Sequence, residues 1–119
     1  MNPKKIGYWL VTALMCALFL FSATMYFTKT EMVQGFFTSL GFPTWIVIPL
    51  AIAKVLGIVA VLTDKSQLLR EWAYAGFFFD TVLATSAHIA ANDGAHIMSM
   101  AGIILVLLSR FLYQFRYLD

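Results

Sequence analysis

Two ionisable side chains of opposite sign, Lys54 and Asp80, each stand inside an apolar stretch long enough to cross a membrane. A charged group at that depth is costly, so it marks an ion path, a proton relay or a ligand site by default. Their spacing predicts that they meet. If Trp45 to Leu62 and Trp72 to Ala91 form an antiparallel hairpin turning near Gln67, Lys54 lies thirteen residues before the turn and Asp80 thirteen after it. At about 1.5 Å of rise per residue, both side chains reach the same level. Asp80 shares its helical stripe with Gly76, Ala84, Ala87 and Ala91, and Lys54 has Ala51 and Gly57 near its face, so two helices can approach closely there. Two readings stay open: a buried ion pair that fixes helix register, and a proton or ligand site lined by the same groups.

His88 follows nearer the outer end of the third stretch, about 80° round the helix from Asp80. An imidazole there could relay protons, ligate a metal or face an aqueous vestibule. With His96 as the only other imidazole and Asp93 the only carboxylate close by, no metal site is expected and a hydrogen-bonded histidine is the simpler reading. Glu71, Trp72 and Tyr74 form the densest polar and aromatic cluster, at the cytoplasmic entry of the third stretch. Such residues anchor helices at the membrane interface, and Glu71 near a helix start is electrostatically favourable or could bind a cationic group. The lone Cys16 rules out an intramolecular disulfide and reads as a small embedded residue.

These groups need a membrane scaffold to position them. Of the 119 residues 61% are hydrophobic and only 12% charged, against about 25% charged for a soluble domain. Four stretches reach the length that a hydrocarbon core of about 20 helical residues demands: Tyr8 to Phe27, Trp45 to Leu62, Trp72 to Ala91 and Ile97 to Tyr113. A single domain over residues 1–119 is expected, all-α, a bundle of four transmembrane helices. The first stretch is expected to stay as a span, not to be cleaved as a signal. Its Thr12, Ala13, Cys16, Ala17, Ser22, Ala23 and Thr24 suit close helix contact.

Between spans one and two, Met32, Val33, Phe36, Phe37 and Leu40 recur at helical spacing and predict a short amphipathic helix at the outer interface. Pro49 falls inside the second span and is expected to bend its outer third. That span tolerates Lys54 because its eleven Leu, Ile and Val residues offset the charge. The third span, diluted by Asp80 and His88, is marginal and needs its neighbour. Asp64 or Ser66 can cap the third helix, and Asn92-Asp93-Gly94 is a turn signal. Lys4, Lys5, Lys65, Arg70, Arg110 and Arg116 fall on one side and Lys29 on the other, which predicts cytoplasmic termini and one direction of insertion. The small net charge of +2 gives no reason to invoke nucleic acid.

Leu40-Gly41-Phe42-Pro43, Lys54-Val55-Leu56-Gly57 and Glu71-Trp72-Ala73-Tyr74-Ala75-Gly76-Phe77, followed by Asp80 and His88, resemble the pattern of DoxX-like membrane proteins over about residues 5 to 115. The wider group is similar to small subunits of thiosulfate–quinone oxidoreductase and, more distantly, to a receptor-assembly chaperone of animal neurons. The resemblance implies a four-helix integral protein of the inner membrane, in redox partnership or assisted assembly. A quinone is the cofactor that it brings into view.

Three function classes follow. The leading one is an accessory or binding component, not a self-sufficient enzyme, whose Lys54, Asp80 and His88 line a polar pocket. A quinone-associated role needs a lateral apolar opening near Trp72, Tyr74 and the three consecutive phenylalanines. The second class is a proton-coupled small-molecule carrier in which Lys54 competes with a proton for Asp80. The third is an assembly protein in which the pair serves folding alone. Beyond the lipid bilayer, a second copy of the chain or another membrane protein is the expected partner.

Overall fold

The computed structural model describes residues 2–117. Residues 1, 118 and 119 of the domain expected over 1–119 lie outside the described residues. The helix α1 (Pro3–Thr28) starts where its sequence can satisfy a helix end: Asn2 accepts from the Lys4 amide at 2.8 Å, and Pro3 occupies the first turn, where its missing N–H costs nothing. A single residue, Lys29, then separates it from α2 (Thr30–Ser39), the short helix expected between the first two spans. The latter ends on Gly41 at φ +87, where the Phe42 amide reaches back to the Phe37 carbonyl and the Gly41 amide to that of Thr38. The rings of Phe37 and Phe42 meet across this cap at 6.0 Å, completing a Schellman motif with its hydrophobic contact.

A 3₁₀ turn at Thr44–Ile46 leads into α3 (Val47–Thr63). Pro49 is therefore in the first turn of α3 and not inside a longer helix. Its missing N–H falls among those that have no intrahelical partner, and the winding changes from 3₁₀ to α just before it. Asp64, at φ 53, closes α3, and Ser66 caps α4 (Gln67–Ala91) by accepting from the Leu69 amide at 3.3 Å. Asn92 and Gly94 take positive φ in the next turn, where Asp93 accepts from the Ala95 amide, and α5 (His96–Leu112) follows.

The four long helices form a ring in the order α1, α3, α4, α5, each packed on two neighbours, and α2 lies against α1 and α3. Met15, Cys16, Phe19, Ile58, Val61, Tyr74, Phe77 and Val106 make the core. Phe77 stacks on Phe19 with centroids 4.1 Å apart, and Gly57 makes room for it: a Cβ there would lie 2.7 Å from the Phe77 ring. Three helical stretches, Pro3–Thr28, Thr44–Thr63 and His96–Phe115, are long and apolar enough to cross a membrane. With 25 residues α4 has the length, but Asp80, His88 and its hydroxyl residues dilute its apolar character. Large apolar side chains such as Leu10, Leu14, Phe21, Leu56, Leu107 and Phe111 face outward around the ring, as contact with lipid tails would require.

Candidate functional site

Lys54 points inward from α3, 6% exposed, between the small residues Ala51 and Gly57 on its own face. Its ammonium group meets two other helices, α1 and α4. Nζ donates to Ser22 Oγ at 2.7 Å, lies 3.9 Å from the centroid of the Tyr26 ring one turn further along α1, and stands 3.9 Å from Asp80 Oδ2 on α4. The hairpin register thus places lysine and aspartate at one depth. Their contact is an ion pair at the edge of direct reach, longer than a hydrogen bond. Asp80 accepts no hydrogen bond among the described residues, and its side chain is 29% exposed.

That exposure opens into two cavities. An inner one of 620 Å³ runs between α3 and α4 from Lys54 and Asp80 past Gly57, Phe77 and Trp72 to Thr63, Lys65 and Ser66. An outer one of 340 Å³ continues between α4 and the α2 region, lined by Tyr26, Phe37, Phe42, Phe79, Asp80 and His88. Leu50, Gly76 and Asp80 line both, so the carboxylate sits at the neck. A Cβ at Gly76 would meet nothing within 4 Å, so the shared edge of the two cavities is not crowded there.

His88 is not in contact with the lysine. It lies eight residues beyond Asp80, about 12 Å along the helix, and its Nδ1 is 2.7 Å from Asp93 Oδ2. That hydrogen bond from His88, joined by the one from the Ala95 amide, holds the Asp93 carboxyl below the ordinary carboxylate range. The interface cluster divides three ways. Trp72 is 68% exposed and walls the inner cavity. Glu71 pairs with Arg110, accepting from its Nη2 at 3.2 Å. Tyr74 turns into the core, 4% exposed, where its hydroxyl and that of Thr12 both meet Ser109 Oγ, at 2.7 and 2.6 Å.

A second polar assembly, at the end that carries the α3–α4 turn, was not singled out in the sequence. Asp64 accepts from Arg70 Nη1, from Arg116 Nε at 2.6 Å and from the Tyr117 hydroxyl at 2.8 Å. The Tyr113 ring lies between the guanidinium groups of Arg70 and Arg116, 4.0 and 3.5 Å from its centroid. Burial pushes the Asp64 carboxyl up, but hydrogen bonds from Arg116, Tyr117 and Arg70 outweigh it and hold the group below its ordinary range. Trp9 Nε1 also donates to the Arg116 carbonyl at 3.2 Å, so the first and last described turns of the chain meet at this end. The signal was available as a carboxylate and two arginines that flank spans, but their partners are up to 53 residues apart. Ser22 and Tyr26, spaced i and i+4 on α1, are likewise partners of Lys54 that only the fold reveals.

A chain that is all-α over its described residues, with three helices apolar enough to cross a membrane and a charged pair between α3 and α4, defines a membrane protein of small size. It belongs to the DoxX-like family, whose family model matches residues 10–110. No curated protein and no solved structure matches it.

Proposed function

We propose that this chain is a four-span protein of the inner membrane that binds a neutral, membrane-dissolved amphiphile, with the polar head between Lys54 and Asp80 and the tail in the inner cavity. The observation that carries this reading is a buried ammonium and a partly exposed carboxylate without a hydrogen bond, 3.9 Å apart and both lining an apolar cavity of 620 Å³, from whose side a head group can reach the two together. The charges decide the ligand class. A cationic head near Asp80 would be repelled by Lys54, and an anionic head near Lys54 by Asp80, in surroundings that screen poorly. A neutral head that both accepts and donates hydrogen bonds satisfies the two together.

A quinone and its quinol fit these groups. A ring carbonyl accepts from Lys54, a quinol hydroxyl donates to Asp80, and an isoprenoid tail follows the wall of Gly57, Phe77 and Trp72 outward. The chain then acts as an accessory component for a redox partner rather than as a self-sufficient enzyme. Both termini lie on the cytoplasmic side in this reading, supported by six basic residues flanking that side against Lys29 on the other. With the α3–α4 turn on that side, the inner cavity opens toward the cytoplasmic leaflet.

A titration tests it. In nanodiscs, with Trp9 and Trp45 replaced by Phe, a short-tailed quinol is expected to change Trp72 emission saturably. The change should vanish when Lys54→Met and Asp80→Leu are combined, a pair of changes that leaves no lone charge behind. An unsaturable change of equal size in both proteins would refute the binding site.

A further inference from the structure

Polar groups stand at three depths along the two neighbouring cavities, whose linings share Leu50, Gly76 and Asp80. Thr63, Lys65 and Ser66 lie at one end, Lys54 and Asp80 at the neck, and His88 at the other end. From Ser66 to His88 the lining follows α4 for about 33 Å, which matches a hydrocarbon core of about 30 Å. The flanks are apolar and face outward: Leu56, Leu69 and Trp72 beside the inner cavity, Phe79 and Leu83 beside the outer one. A head group could therefore travel within the groove while its chains stay in lipid.

Moving a hydroxyl-bearing head through hydrocarbon is slow because each unpaired polar group costs about 4–8 kcal/mol on leaving water. A donor and an acceptor at mid-depth interrupt that barrier. A plain ion pair that only fixed register would gain nothing from the two cavities that Asp80 borders.

We infer that the chain moves neutral, hydroxyl-bearing amphiphiles between the two leaflets, the head passing along this groove from the Lys65 end through Lys54 and Asp80 to His88 while the tail remains in the bilayer. This rests on the proposed binding of a neutral head at the Lys54–Asp80 pair. It adds that the outer cavity is part of a path and not a separate void. No proton or ion is required to move with the head, and the direction follows the gradient of the amphiphile.

The test uses the full chain in phosphatidylcholine vesicles that contain a monoglucosyl lipid with a nitrobenzoxadiazole label on its acyl chain. Dithionite added outside bleaches outer-leaflet label, so continued bleaching reports arrival from the inner leaflet. Wild type is expected to raise the slow rate about tenfold or more over protein-free vesicles, equivalent to about 1.4 kcal/mol off the barrier. Ala84→Phe and Ala87→Phe, each narrowing the outer cavity alone, should return the rate toward the protein-free value while saturable binding of the same lipid persists. Binding without any rate increase, or an increase that neither Phe variant lowers, overturns the path and leaves the binding reading intact. Absence of saturable binding overturns both.

Discussion

Asp64 and Asp80 are built from the same parts and end in opposite states. Each is a carboxylate beside a basic side chain whose charge also rests on a tyrosine ring, Tyr113 in one case and Tyr26 in the other. Asp64 is saturated by two arginines and a tyrosine hydroxyl. Asp80 has one cation 3.9 Å away and a cavity on each side. Saturation ties the α3–α4 turn to the last residues described and leaves nothing for a ligand. Incomplete pairing at mid-depth leaves a donor and an acceptor available, which is the condition for a binding site.

The largest effect that should separate the two regions is on stability. Asp64→Asn strands two buried or half-buried arginines and is expected to cost about 3 kcal/mol, the scale for breaking a buried pair, read as a lowered melting temperature in detergent. Equal melting temperatures for Asp64→Asn and wild type would show that the Asp64 cluster does not hold the bundle end together. Gly57→Ala comes next. Its methyl group would press on Phe77 and disturb the stack with Phe19, for an overpacking cost of about 1–3 kcal/mol, and the wall of the inner cavity should distort with it.

A smaller change is expected at Asp80. Asp80→Asn keeps an acceptor oxygen near an ammonium that still has Ser22 and Tyr26, so its cost should be about 1 kcal/mol, while saturable quinol binding weakens. A larger loss of stability than for Asp64→Asn would make the mid-depth pair the structural one.

Acid titration sharpens the contrast further. Asp64 holds its proton less tightly folded than unfolded, so as pH falls the unfolded chain takes up the proton first and stability declines. Its contribution is complete above the ordinary carboxylate value of about 4 and is lost as pH drops through the lower folded value. Melting temperature should therefore fall in acid below that point in wild type and fall less steeply in Asp64→Asn. Asp93→Asn, at an exposed turn where solvent screens the pairing, should lower the melting temperature near neutral pH far less than Asp64→Asn does.

Much of this architecture was legible in the residues. Helical length and polarity marked the helices, the spacing about Gln67 placed Lys54 level with Asp80, and Asn92 and Gly94 marked a turn that the structure has at those positions. What could not be read were contacts set by rotation of one helix against another. Ser22 and Tyr26 look like ordinary members of an apolar helix until α1 turns that face to Lys54. Tyr74 lies close to Glu71 and Trp72 in sequence, yet successive residues on a helix point about 100° apart, and this one faces Ser109. The Asp64 cluster depends on closing the ring, which brings residues 64 and 116 together.

Photolabelling bears most directly on the mid-depth pair as a binding site. A neutral phenol-headed probe with a diazirine on its tail, irradiated with the protein in nanodiscs and mapped by peptide mass spectrometry, should mark residues of the inner cavity such as Leu50, Ala53 and Trp72. Those adducts should disappear in the protein that combines Lys54→Met with Asp80→Leu. Labels scattered over the outward faces of α1 and α5, and equally abundant in both proteins, would contradict the account.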